Sequence, residues 1–238
     1  MPPETILDMA RIGTLCLGLV SALLLCGLLA FTLIRPGFGF WPAPDPTGWR
    51  HILALGLFRA FCGATVACGA MDLVQSGWGA PAQYLLGLPV MAAAYGVTLW
   101  GYRALGIANT YRGSDGLVTG GLYAYTRNPQ YVSSILATLG LAITAGSWVV
   151  LGLAGALFLI YFLFALNEER WLEDGYGKAF RDYMRRTPRF LGLRSLERAR
   201  SELMSRAWPG TQASAHTPSN QSRSAPTSGE TASASSPA

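Results

Sequence analysis

The sequence predicts an all-α, multi-pass membrane protein of about five transmembrane segments, with a C-terminal helical hairpin and an interfacial helix. Three observations predict it. Of the 238 residues, 51% are hydrophobic and only 13% charged, a membrane rather than a soluble composition. Residues 12–34 form an uncharged, largely apolar run of 23 residues, enough to span a hydrocarbon core of about 30 Å. Residues 131–145 and 148–166 are two apolar runs separated only by Gly146 and Ser147. So short a connection makes them an antiparallel hairpin.

The elements follow in order. The run at 12–34 is too long for a signal-peptide core, and no small-residue cleavage site follows it, so it reads as a retained helix. Pro36, Pro42, Pro44 and Pro46 then make an irregular loop. The second segment is 52–73, with Arg59 inside it, and a Gly-containing turn at 75–81 leads to the third, 84–100. A polar loop is expected over 102–130. The fourth segment, 131–145, is short for a full span and is expected to lie obliquely or to be partly re-entrant. The fifth is 148–166.

Residues 168–184 read as the interfacial helix. Leu172, Tyr176, Phe180 and Met184 recur every four residues as one apolar stripe. Its acids, Glu168, Glu169, Glu173 and Asp174, come early and Arg181, Arg185 and Arg186 late, matching a helix dipole. Gly175 and Gly177 predict a bend, and Pro188 a stop. From about 211 onward the chain is Ser, Thr, Ala and Pro with almost no large apolar residue, a composition expected to be disordered. The organisation expected is N-terminal transmembrane helices at 1–101, a core at 102–195 and a basic, then Ser/Thr/Ala/Pro-rich tail at 196–238.

The net charge is +5, but ten of the 18 basic residues lie between Arg170 and Arg206, just after the last apolar segment. That is a juxtamembrane, lipid-facing pattern rather than a nucleic-acid footprint. Arg35 and Arg50 follow the first segment, and Arg103, Arg112 and Arg127 the third; the other side holds only Arg11 beside Glu4, Asp8 and Asp72. The expectation is an N-terminus outside and a C-terminus in the cytoplasm of a bacterial inner membrane, with both polar blocks on the cytoplasmic side. Cys16, Cys26, Cys62 and Cys68 sit inside apolar runs without CxxC spacing, and His51 and His216 do not cluster with them. No metal is expected.

Two polar blocks bracket the hairpin. The first contains Asp115-Gly116-Leu117-Val118 and runs on through Tyr123 to Arg127-Asn128-Pro129-Gln130-Tyr131. Gly116 permits positive φ or a close backbone approach. Asn128-Pro129 predicts a helix start at Pro129 or just after, exposing N–H groups beside Arg127. One reading is an interfacial loop with an aromatic belt and Asn128 as helix cap. The other is a ligand wall. The second block opens with Glu168-Glu169, adjacent carboxylates that repel one another unless a cation or donor is present. They are either solvated charges or a holder for a cationic or amine-bearing ligand. Arg59 either snorkels or pairs with Glu169 or an anionic acceptor.

Together the blocks resemble the isoprenylcysteine carboxyl methyltransferase and phospholipid methyltransferase family of integral membrane enzymes. The family pattern is matched by Leu117-Val118-Thr119, Gly121, Tyr123, Arg127-Asn128-Pro129-Gln130-Tyr131, Glu168-Glu169, Gly177, Phe180, Tyr183 and Pro188-Arg189. The match covers roughly residues 104–191; the N-terminal helices agree only in character.

The resemblance implies S-adenosyl-L-methionine as methyl donor in a cytoplasm-facing pocket. By position Asp115, Gly116, Leu117, Val118, Tyr123, Asn128, Pro129, Gln130 and Tyr131 would line it, and Glu168 would bind a polar end of the donor. Arg127, Tyr131 and Glu169 are the candidate catalytic residues. Asn128 replaces the family's histidine, which removes a titrating role there. Prenylcysteine methyltransferases carry an arginine four residues before the first glutamate to meet the substrate carboxylate; here it is Phe164. A prenylated-protein carboxylate thus loses its partner. The expected partners are membrane lipid and a small or lipid-like acceptor. A sterol-type reductase using NADPH and a non-catalytic protein on the same scaffold are the alternatives.

Overall fold

The computed structural model describes residues 3–76, 80–110 and 116–207, with side chains at 5–76, 80–100 and 116–205. Asp115 and the expected disordered tail lie outside the described residues. Seven α-helices and no strand occur among them: α1 Pro3–Ile34, α2 Trp49–Gln75, α3 Pro81–Thr110, α4 Pro129–Ala145, α5 Trp148–Tyr176, α6 Lys178–Arg186 and α7 Leu193–Ala207. The packing described below is that of Met1–Ala199; residues from Arg200 onward belong to a second unit. In that unit Ser205 Oγ donates to the Glu202 carbonyl.

Four of these helices, α1, α2, α3 over Pro81–Trp100 and α5, are long and apolar enough to cross a membrane. The hairpin's first arm, α4, has 17 residues, about 25 Å at 1.5 Å per residue, matching the short span expected. The chain is a multi-pass helical membrane protein.

The core sits between α1, α2 and α5. Leu25, Leu29, Phe61, Cys68, Val150, Leu153 and Ile160 are buried there, with Phe40 from the loop between α1 and α2. Outward positions remain apolar, as at Leu23, Leu85 and Leu86, which suits a lipid environment. Against α4, α3 packs through glycines: a Cβ on Gly87 would lie 2.7 Å from the Gly140 carbonyl oxygen, and one on Gly140 2.7 Å from Met91 Cγ. Nearby, the Thr98 and Ser133 hydroxyls are 2.7 Å apart.

The hairpin turn follows its two residues. Gly146 takes φ 58° after α4, and Ser147 accepts a bond from Val150 N as the cap of α5. Ser147 Oγ also donates to Asp72 of α2, whose other oxygen accepts from Arg11 Nε at 2.5 Å. This polar lock closes one end of the bundle.

Two expectations are corrected, and one of the two readings of Arg59 is set aside. The polar loop does not begin at 102, because α3 continues to Thr110. The helix expected over 168–184 does not exist as one element. Instead α5 runs on unbroken to Tyr176, the chain breaks at Gly177 (φ 53°, ψ −121°), and α6 follows. A helix ends where its backbone bonds stop, not where its polarity changes. Arg59 is exposed and does not pair with Glu169, which two other arginines occupy.

Candidate functional site

The loop after α1, the start of α2, the segment before α4, the end of α5 and α6 meet at the end of the bundle opposite the Asp72 lock. Their side chains enclose a cavity of about 420 Å³, within the range of roughly 300–1,000 Å³ common for ligand sites.

One wall is the first polar block. Gly116, Leu117, Val118, Tyr123, Arg127, Asn128, Pro129, Gln130 and Tyr131 all line the cavity. Gly116 adopts φ 95°, the positive value its sequence position allowed. Pro129 is the first residue of α4, and the cap residue Asn128 makes no side-chain capping bond. Its amide instead donates to the Arg189 carbonyl at 3.1 Å, so the reading of Asn128 as a helix cap is not realised. The α4 N-terminus is left with a partial positive charge beside the cavity.

Glu168 forms the facing wall from α5. Two neutral donors converge on its Oε1: Trp41 Nε1 at 2.9 Å and Tyr131 Oη at 2.7 Å. Among the described residues Oε2 accepts no hydrogen bond, so the carboxylate keeps one oxygen for a ligand. An aromatic layer backs it. The Tyr131 and Tyr161 rings stack 4.2 Å apart, and Trp41 meets Phe164 edge-on at 5.0 Å.

Glu169 points elsewhere. Arg189 grips it with Nε and Nη2, each at 2.7 Å, and Arg127 Nη1 lies 2.7 Å from its Oε1. The Arg127 contact is an ion pair without hydrogen-bond geometry, and Arg127 Nε and Nη1 are buried donors with no acceptor. Desolvation lowers the Arg127 pKa against the pull of Glu169, whereas the bond to Glu169 raises that of Arg189. Unlike Arg127 and Tyr131, Glu169 is not part of the cavity wall.

The second block also clamps the first. Arg127 N donates to the Pro188 carbonyl at 2.9 Å, Thr126 Oγ1 to the Arg189 carbonyl at 3.0 Å and Tyr183 Oη to the Tyr123 carbonyl at 2.7 Å. Burial pushes the Tyr183 phenol above its ordinary range. Ser195 Oγ adds a bond to the Tyr125 carbonyl at 2.6 Å. The first block therefore holds its shape through tertiary bonds, with little regular structure of its own.

Sequence reasoning missed the contribution of the N-terminal half. Trp41, Pro42, Ala43, Pro46 and His51 line the cavity. Trp41 and His51 stack, with centroids 5.7 Å apart. The one signal was an aromatic residue inside a proline-rich loop, which by itself specifies no contact. Trp171, Leu172, Tyr176, Phe180 and Tyr183 complete the lining; three of these belong to the four-residue stripe read from the sequence.

The cobalt-zinc-cadmium resistance protein CzcN of Cupriavidus metallidurans is 37% identical over 125 residues, covering 52% of this chain and 56% of that protein. The chain thus spans about half the length of that curated relative. No solved structure matches. Residues 82–179 match the family model described as phospholipid methyltransferase, and they include α4, α5, the whole of the first block and both glutamates. Over residues 82–179 the chain is therefore similar to the phospholipid methyltransferase family of membrane proteins.

Proposed function

We propose that the protein is a membrane-embedded methyltransferase that uses S-adenosyl-L-methionine to methylate a small or lipid-like acceptor. The observation that carries this reading is the pairing of opposite unmet groups in one cavity. Glu168 offers a free carboxylate oxygen. Gln130 Nε2 and Arg127 Nε are buried donors without acceptors, beside the uncapped start of α4. A ligand with both an ammonium and a carboxylate, as at the amino-acid end of the donor, satisfies both sets. The aromatic layer suits its flat and cationic parts. The residues present therefore fit the donor.

S-adenosylmethionine supplies a methyl group already activated on a sulfonium. The chain's own contribution is then alignment and exclusion of water. Trp41 and Tyr131 fix Glu168, while the Arg127–Glu169–Arg189 bridge fixes the first block. Phe164 packs behind the wall against Trp41 and supplies no cation for an acceptor carboxylate. Arg127, the guanidinium in the described lining, is engaged with Glu169. With its charge already met by Glu169, it can offer a carboxylate one hydrogen bond from Nε but not the unshared charge that the dianionic 2′-phosphate of NADPH calls for, which disfavours the reductase reading. The positive-inside pattern supports a cytoplasmic cavity in a bacterial inner membrane.

The test is calorimetric titration of the detergent-solubilised protein with S-adenosylmethionine, with Glu168→Ala as control. Saturable binding weakened at least about tenfold by the substitution is expected, as a charge-assisted contact is worth about 1.5–3 kcal/mol. No heat above background at millimolar donor sinks the reading. Labelled donor incubated with a membrane lipid extract then identifies the acceptor class.

A further inference from the structure

We infer that His51 takes the proton released by the acceptor during methyl transfer. This rests on the methyltransferase reading above and adds a catalytic residue to it. A thiol or an ammonium must shed a proton to become a nucleophile or a stable product, whereas a carboxylate need not.

The cavity offers few places for that proton. Arg127 carries no lone pair and faces Glu169. The Tyr131 hydroxyl is spent on Glu168, and the Tyr183 hydroxyl on the Tyr123 carbonyl. Glu168 Oε1 already accepts two bonds, and its Oε2 is the oxygen assigned above to the ammonium of the methyl donor. His51 differs from all of these. It lines the cavity from the first turn of α2 and is half-buried. The ring stacks on Trp41 at 16° between planes. Among the described residues neither ring nitrogen makes a hydrogen bond. Imidazole is the side chain suited to exchanging protons near neutral pH.

Through Trp41 the ring is held in register with Glu168, since the same indole stacks on His51 and donates to the carboxylate. The charged and titratable groups around it are Asp45, which interacts electrostatically with it, and Glu168, Tyr123, Tyr131, Tyr176, Tyr183 and Arg127 in the same cavity. Its neighbour Arg50 is turned onto the Phe38 and Trp49 rings.

The step balances. The acceptor heteroatom forms a bond to the methyl carbon, and the carbon–sulfur bond breaks with its electron pair kept by sulfur. The acceptor's proton passes to a His51 ring nitrogen, so one positive charge is lost from sulfur and one gained by the imidazole. The imidazolium then returns its proton to water.

The experiment uses the full chain in lipid nanodiscs with labelled S-adenosylmethionine and three probes: dodecanethiol, dodecylamine and dodecanoate. Wild type is expected to methylate the thiol or the amine. The His51→Gln variant is expected to lower kcat about 100-fold and abolish the acidic limb of its pH profile, with donor affinity within twofold of wild type. Imidazole is expected to restore His51→Ala. A readout without donor accompanies this. The chain has two histidines, His51 and His216, so ring-labelled protein and its His51→Gln control assign the His51 resonance, which is expected to shift when the accepted probe is added. His51→Gln turnover within threefold of wild type, failure of imidazole rescue, a silent resonance or transfer to dodecanoate alone would each overturn the inference. Wild type that binds no donor overturns the methyltransferase reading as well.

Discussion

Trp41 and Glu168 lie 127 residues apart and are joined by a 2.9 Å bond from indole Nε1 to carboxylate Oε1. The bond couples the loop between α1 and α2 to α5 at the point where the cavity is narrowest in chemistry, a single carboxylate. Replacing Trp41 by Phe keeps a ring but removes the donor. Donor affinity is expected to fall about tenfold, the equivalent of roughly 1.4 kcal/mol. Tyr131→Phe removes the other bond to the same oxygen, so the double variant should be non-additive. Equilibrium binding of S-adenosylmethionine to the four proteins measures this, and an unchanged dissociation constant in both single variants contradicts it.

Glu169→Gln strips the shared anion from Arg127 and Arg189. Their side chains are 11% and 27% exposed, so both charges are left with little water. A loss of about 2–3 kcal/mol in stability is expected, seen as a lower thermal midpoint in detergent. Glu169→Asp should recover only part of it, because the two-pronged Arg189 contact needs the longer side chain.

Tyr183 predicts an alkaline limit. Its folded pKa is raised above the ordinary value of 10, chiefly by desolvation. The contribution is therefore fully present below the unfolded pKa and is lost as pH rises through about 10 and above. Tyr183→Phe should cost about 1 kcal/mol near neutral pH, through loss of the bond to the Tyr123 carbonyl, yet flatten the decline above pH 10. Thermal midpoints from pH 7 to 11 test this; parallel declines in both proteins refute it.

Gly87→Ala should force α3 away from α4, since its Cβ would lie 2.7 Å from both the Gly140 oxygen and Thr144 N. Backbone cannot yield as a flexible side chain does, so about 1–3 kcal/mol of destabilisation is expected. An unchanged midpoint would mean the helices are not in such close contact.

Asp72→Ala breaks the Arg11 pair and the Ser147 bond at the far end of the bundle. About 2 kcal/mol of stability should be lost, while donor affinity stays within twofold. A large affinity change would show that the two ends are coupled.

Long apolar runs made α1, α2 and α5 legible in the sequence, and Gly146-Ser147 made the hairpin turn legible. Helix ends were less so. Residues 102–110 are mixed in polarity but contain no proline, so α3 continues where a loop was read. Past Leu166, α5 likewise continues until Gly177. The two glutamates could not be told apart by type. Successive residues point roughly 100° apart around a helix, so Glu168 enters the cavity and Glu169 turns to the arginines. Trp41 and His51 stayed hidden because their roles depend on contacts across most of the chain.

The family match ends at 179 and begins at 82, whereas Trp41 and His51 stand before it and Phe180 and Tyr183 after it. The matched segment therefore supplies the first block, Glu168 and the end of α5, while the rest of the wall comes from residues outside it. A change confined to the short proline-rich stretch around Trp41 would reshape one side of the cavity and leave the side facing it, built from the first block and Glu168, untouched.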